Sequence, residues 1–452
     1  MKRASLVDVQ GFINEHPFGR FQQLIFFMCF VIVLVDGFDT AAIGFIAPSL
    51  LTEWHLAKPN LAPVLSAALF GLAFGALASG PLSDRVGRRA LMVGSVFLFG
   101  AACAVSAFST NMGQLTVLRF MTGIGLGSAM ANAVTMMDEF CPTRRRATVT
   151  SLMCCGFPLG AALGGLLAAW LVPHAGWRSV LMLGGVAPIL HGVLLLLKMP
   201  ESVRFMVANR KPIERIRAIL VRISDEAINA RSFALTESTP GTGDNGLGLV
   251  LSRSYIVGSL MLWLAAFMGL LIIYALINWM PILLKDAGLS LKSATLISAL
   301  FPLGGVGAVL CGALMDRFNA NLVIATCYAL AAISLFCIGV MAGNVALLVP
   351  IVLVSGVLMN TAQASMNALA AAFYPTEGRG TGVAWMLGMG RFGGIAGSFL
   401  VAELVRWNFT FVGVFTTIAV AGVLSCIALL VKHLVPPRAF RAEPDGVGSL
   451  SH

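Results

Sequence analysis

Runs of about twenty apolar residues recur from Leu24 almost to the C-terminus, broken only by short polar stretches, and that recurrence leaves the chain few ways to fold. A helix needs roughly 20 such residues to cross the hydrocarbon core of a bilayer, and there it satisfies its own backbone N–H and C=O groups without water. A large soluble core would need polar helix faces, and these are missing. Of the 452 residues, 58% are hydrophobic and 11% are charged, against about 25% charged in an ordinary soluble domain.

The apolar runs place twelve spans, at residues 24–48, 62–82, 90–108, 113–137, 149–172, 177–197, 255–284, 293–314, 321–342, 346–372, 380–402 and 410–431. A formal charge of +10 would suit a nucleic-acid surface if the basic residues shared a face, and they do not. With the N-terminus inside, 23 of the 30 lysines and arginines fall on inner segments and five on outer ones, while Arg119 and Arg391 lie within spans. That bias sets orientation in membrane proteins. It predicts a multi-pass protein with both termini cytoplasmic, in contact with anionic lipid and without a nucleic-acid partner. The first span has no cleavage pattern behind it and reads as retained. Most cysteines sit within apolar spans and have no paired spacing with histidine, so they read as packing residues, with neither a disulfide framework nor a metal site.

The chain divides into an N-terminal bundle at 1–197, a hydrophilic cytoplasmic segment at 198–253, a C-terminal bundle at 254–435 and a tail at 436–452. The two bundles repeat. "GPLSDRVGRR" after the second span corresponds to "GALMDRF" after the eighth, with Asp84 and Asp316 232 residues apart. "EFCPTRRRA" and "AFYPTEGRG" align Pro142 with Pro375, and Gly164 aligns with Gly397, each pair 233 apart. Agreement across separate loops implies duplication, hence two pseudo-symmetric six-helix bundles in an all-α membrane protein.

Asp36 and Asp39 are the only acids well inside any span. An ionised carboxylate at bilayer depth costs at least a few kcal/mol, so such residues face a cavity or a partner. Three residues apart, they share a helix face. At 1.5 Å per residue they lie about 18 and 22 Å from the start of the span. Two readings follow: reversible proton carriage, or a structural ion pair. Arg119 reaches the depth of Asp39 and could pair with it or contact a ligand. Arg391 lies near the midplane where the repeat has Pro158, and a guanidinium there suits an anionic substrate, a gating partner or a structural pair. Phe38, Phe45, Phe157, Tyr274, Trp279, Phe301 and Trp385 are candidate contacts for a ring. Asn278 and Pro281 predict a helix break near the outer end of the seventh span. His191, alone in its span, reads as a hydrogen-bonded packing residue, and Gly123, Gly125 and Gly127 read as close helix packing because no strand precedes them.

"GPLSDRVGRR" resembles the loop between the second and third helices of the major facilitator superfamily, and "PESVRF" resembles the ending of its sixth helix. The resemblance implies a conformational latch on the cytoplasmic side built from Gly80, Asp84, Arg85, Gly87, Arg88 and Arg89, with Asp316 and Arg317 at the repeat position. Asp84 is expected to accept hydrogen bonds at a neighbouring helix end, and Glu139 either joins the latch or belongs to a solvated charge cluster. "DGFDTAAIGFIAPSL" from Asp36 to Leu50 resembles the aromatic acid:proton symporters, as do "LRFMTGIGLGSAMANAV" and "PHAGWRSVLMLGGV". This implies proton-coupled uptake of a benzoate- or hydroxybenzoate-type carboxylate by alternating access in a bacterial inner membrane. Asp36 and Asp39 would couple protons, and Arg391, Arg119, Phe38, Trp279 and Trp385 would bind substrate. A proton-coupled exporter and a non-transporting receptor remain alternatives. No catalytic constellation stands out, so an enzyme is not expected. Nor is a cofactor beyond the coupling proton, and the chain is expected to be monomeric.

Overall fold

A computed structural model describes residues 6–230, 232–235, 246–307, 318–341 and 343–435. A short strand β1 (Leu6–Asp8) leads into α1 (Val9–Glu15), and the N-terminal bundle follows as α2 (Arg20–Glu53), α3 (Ala62–Val86), α4 (Arg88–Ser106), α5 (Met112–Phe140), α6 (Thr143–Cys154) with α7 (Gly156–Ala175), and α8 (Trp177–Lys198). The central segment holds α9 (Val203–Ala208), α10 (Ile213–Leu220), β2 (Ser232–Ala234) and α11 (Gly246–Val250). The C-terminal bundle comprises α12 (Ile256–Asp286), α13 (Leu291–Leu303), α14 (Ala320–Val340), α15 (Val345–Phe373), α16 (Thr376–Arg406) and α17 (Phe411–Leu434).

Ten of the described helices, joined where two run on, are long and apolar enough to span a membrane. The other two expected spans meet α13 and α16. Helix α13 ends at Leu303 and passes into a 3-10 turn at Gly304–Gly307, beyond which residues 308–317 lie outside the described residues. Asp316 and Arg317 are among them, as is the tail 436–452. Helix α16 is long enough at 31 residues, but its glycines and Arg391 lower its hydropathy. The first span extends past the expected end at Pro48 to Glu53, with Pro48 carried inside the helix. Pro281 likewise sits inside an unbroken α12, which corrects the expected helix break. Its missing N–H frees the carbonyl of Ile277, and Gly44 of the opposite bundle packs there: a Cβ on Gly44 would lie 2.4 Å from that oxygen.

The duplication reappears as matched close contacts. A Cβ at Gly160 would lie 1.7 Å from the Leu34 carbonyl where α7 crosses α2, and one at Gly393 would lie 2.0 Å from the Phe267 carbonyl where α16 crosses α12. Both partners of the second contact stand 233 residues after those of the first. Gly123 on Ala68 and Gly356 on Phe301 repeat the relation, at 2.1 and 2.0 Å. With no hydrophobic driving force between helices in lipid, backbones this close are held by van der Waals packing, which a side chain would block. Gly160→Ala should therefore lower the thermal midpoint of the detergent-purified protein, at an overpacking cost of about 1–3 kcal/mol. An unchanged midpoint would show that α2 and α7 can separate freely.

Helices alternate between the face that carries the N-terminal residues and the opposite, distal face. On the N-terminal face β1 pairs in parallel with β2, matching Leu6 to Ser232 and Asp8 to Ala234. Val9, Phe12 and Ile13 bury themselves with Met206, Ile216 and Leu220, so the central segment packs onto the N-terminal bundle. On the distal face Lys58 bonds Asp286 at 2.6 Å, and Lys285 reaches Thr52 at 3.5 Å. Among the described residues these are the polar bonds that join one bundle directly to the other.

Candidate functional site

Helix α2 buries Asp36 and Asp39 one turn apart, and the structure separates their surroundings. Asp39 is wholly buried and meets Arg119 of α5 in a fork: Nη1 donates to Oδ1 at 2.8 Å and Nη2 to Oδ2 at 2.7 Å. Nη2 also reaches the Asp39 carbonyl at 3.2 Å, and the Cys103 thiol donates to Oδ1 at 3.1 Å. A bidentate charge-assisted pair of this kind occupies both Asp39 oxygens and both terminal nitrogens of Arg119, leaving its buried Nε without a partner. Arg119, a candidate ligand for substrate, is thus committed to Asp39 inside the N-terminal bundle.

Asp36 is 1% exposed and less well provided for. Thr40 donates to its Oδ1 at 3.5 Å, while its Oδ2 has no hydrogen-bond partner. Across the bundle interface stand Tyr274 on α12 and Arg391 on α16, and the three side chains interact electrostatically. Arg391 is half-buried and makes no hydrogen bond or ion pair with a described residue. Glycines set its place: Gly393 and Gly397 draw α16 onto α12 at Phe267 and Leu271, and Gly394 makes room for the Tyr274 ring. The arrangement is an unpaired guanidinium facing an incompletely bonded carboxyl, between two bundles. A carboxylate ligand would satisfy the first, and a proton would neutralise the second.

Two aromatic candidates pack within a bundle. Phe38 points into the N-terminal bundle, packed between Gly164 of α7 and Gly184 of α8, where the missing side chains leave room for its ring. Trp279 is wholly buried, and its indole N–H bonds the Ser398 carbonyl at 3.0 Å while Asn278 donates to the Ser398 hydroxyl at 2.8 Å. Both residues clamp α12 to α16. Trp385 stacks on Trp263 with ring centres 5.6 Å apart and keeps 43% of its surface exposed. His191 contacts the Met28 carbonyl at 3.0 Å, as a packing residue would.

The loop between α3 and α4 is bonded to its own bundle and to the start of the central segment. Gly87 adopts φ 103°, a conformation that favours glycine, and lies against the Glu201 carboxylate, which accepts from the Arg89 backbone N–H at 3.0 Å. Arg88 pairs with Glu139, which also accepts a hydrogen bond from Ser202. Asp84 and Gly80 are exposed, and Asp84 bonds no described residue. The expected bond from Asp84 to a neighbouring helix end is therefore absent among the described residues, whereas Glu139 is tied to the loop. Sequence reading missed Glu201 as a partner of this loop and Ser202 as a partner of Glu139, though "PESVRF" had marked the segment. It also read Cys103 as packing alone.

A profile of the Major Facilitator Superfamily matches residues 29–398 and 262–451. The fold agrees with solved structures of a D-xylose-proton symporter, at TM-score 0.70 and 19% identity over 91% of this chain and 97% of that one, and of an inward-facing bacterial homolog to the human lysosomal transporter Spinster, at 0.71 and 14% over 95% and 99%. The chain belongs to the Major Facilitator Superfamily: it is a multi-pass membrane transporter and not an enzyme. Within the superfamily it falls in the aromatic acid:proton symporter family. It is 47% identical to a 4-hydroxybenzoate transporter of Pseudomonas aeruginosa over 95% of this chain and 96% of the relative. It is 42% identical to a gallate transporter of Pseudomonas putida over 94% of each, and 28% identical to a benzoate transport protein of Acinetobacter baylyi over 97% and 95%.

Proposed function

We propose that this chain takes up a hydroxylated benzoate across a bacterial inner membrane, with both termini cytoplasmic, coupling entry to protons through alternating exposure of a site between the bundles. The observation that carries the reading is Arg391: a half-buried guanidinium in a transmembrane helix, bonded to no described carboxylate, opposite Asp36. The substrate carboxylate docks on Arg391, Tyr274 lies beside it, and Asp36 carries the proton. Asp39 and Arg119 hold the scaffold. The transporters similar at 42–47% identity bear hydroxylated ring acids in their names, and the benzoate carrier is more distant, which favours a ring hydroxyl as part of what is recognised.

Uptake of labelled 4-hydroxybenzoate, gallate and benzoate into proteoliposomes under an imposed pH gradient tests this. Each pH unit can drive about tenfold accumulation for one coupled proton. Asp36→Asn should abolish accumulation above the external concentration while sparing exchange of internal for external substrate. Full uncoupler-sensitive accumulation by Asp36→Asn would remove Asp36 from coupling. Binding without any flux in the unmodified protein would favour a receptor, and efflux against the gradient an exporter.

A further inference from the structure

On the N-terminal face, away from Asp36 and Arg391, a concavity of about 600 Å³ opens between the α3–α4 loop, the end of α8 and helix α10. That volume lies within the range of small-ligand sites, roughly 300–1,000 Å³. Arg85, Arg89, Lys198, Lys211, Arg215 and Arg222 line it, with Glu201 as the one acid. Glu201 offsets only one of these charges, and its Oε1 is held by the backbone N–H groups of Arg89 at 3.0 Å and Ser202 at 2.9 Å. Two cations are anchored: Arg89 donates to the Leu196 carbonyl at 2.6 Å, and Arg222 lies 3.9 Å over the Phe21 ring. The side chains of Arg85, Lys198, Lys211 and Arg215 make no hydrogen bond or ion pair with a described residue. Lys211, Arg215 and Arg222 recur at helical spacing, so one face of α10 and its flanks delivers them to the same hollow.

Four unpartnered cations in one concavity repel one another, and an anion relieves that repulsion. The rim says which anion. Val86 and Leu197, at the membrane ends of α3 and α8, are 55% and 71% exposed and lie beside the basic residues. An occupant with an acidic headgroup and an apolar body fits both surfaces, and a free phosphate fits only one. We propose that this hollow binds the phosphate headgroup of an anionic phospholipid, which bridges the α3–α4 loop to α10. The site is independent of the substrate reading above.

Native mass spectrometry of the full-length protein, delipidated and titrated with phosphatidylglycerol, phosphatidylcholine or inorganic phosphate, tests this. Phosphatidylglycerol should be retained at collision energies that strip phosphatidylcholine. Lys211→Gln with Arg215→Gln, both at exposed positions, should weaken phosphatidylglycerol binding about tenfold. Neutralising an equal charge elsewhere on the same face, Arg144→Gln with Arg145→Gln, should leave it unchanged. Should the double variant fail to fold, Lys211→Gln alone should show a smaller loss in the same direction. Equal losses in the two pairs would reduce the effect to general surface charge and overturn the proposal. So would equal retention of the two lipids, or competition by inorganic phosphate at concentrations comparable to the lipid.

Discussion

Arg391→Ala should raise the substrate concentration needed for half-maximal uptake of 4-hydroxybenzoate by about a hundredfold, and Arg391→Lys should recover only part of that loss. A planar guanidinium offers a carboxylate two parallel charge-assisted hydrogen bonds, each with a net value of about 1.5–3 kcal/mol. Losing about 3 kcal/mol corresponds to roughly a hundredfold in affinity. Lysine restores the charge but not the fork. The variant should fold, because Arg391 bonds no described residue whose partner it would strand. It should also disturb coupling, since Asp36 loses the cation across the interface. Measuring binding and flux separately, by ligand-induced thermal shift and by proteoliposome uptake, distinguishes the two losses. If neither changes, Arg391 does not touch substrate.

Arg119→Leu should be the most damaging single substitution to stability. The pair with Asp39 is wholly buried on both sides, and removing one member of such a pair costs about 3–5 kcal/mol because the other charge stays behind. The midpoint of thermal unfolding in detergent should fall sharply, and the yield of folded protein with it. Asp39→Asn combined with Arg119→Leu should recover most of the loss, since no charge is then stranded. A double-mutant cycle on the unfolding midpoint reads the coupling directly. If the two single effects simply add, the pair contributes nothing as a pair. The combined variant also separates the two acids of α2: proton-driven uptake that survives it places coupling at Asp36, and uptake that is lost with the fold intact returns Asp39 to that role.

These expectations trace different routes from residues to structure. The Asp39–Arg119 pair was open to sequence reasoning because helix rise places both groups at one depth and a buried charge demands a partner. The family-like loop was recognisable from its residues, but its partner Glu201 lies more than a hundred positions downstream and meets it only once α8 has returned to the same face. The aromatic residues were the least legible. An aromatic residue in an apolar helix carries no label for the side it faces, and the packing of Phe38 on Gly164 and Gly184 and of Trp279 on Ser398 is visible only in the folded chain.

What the sequence by itself determined is the membrane architecture: apolar length, the distribution of basic residues and the 233-residue repeat act locally or periodically, and lipid permits helices as the simplest answer. Only the tertiary structure decided which acid is free. Asp36 and Asp39 share a helix face and differ by one turn, yet the rotation of α2 against α5 gives Asp39 a guanidinium and leaves Asp36 facing the opposite bundle. That rotation is set by backbone contacts at glycines distributed over several helices, and no single stretch of chain encodes it.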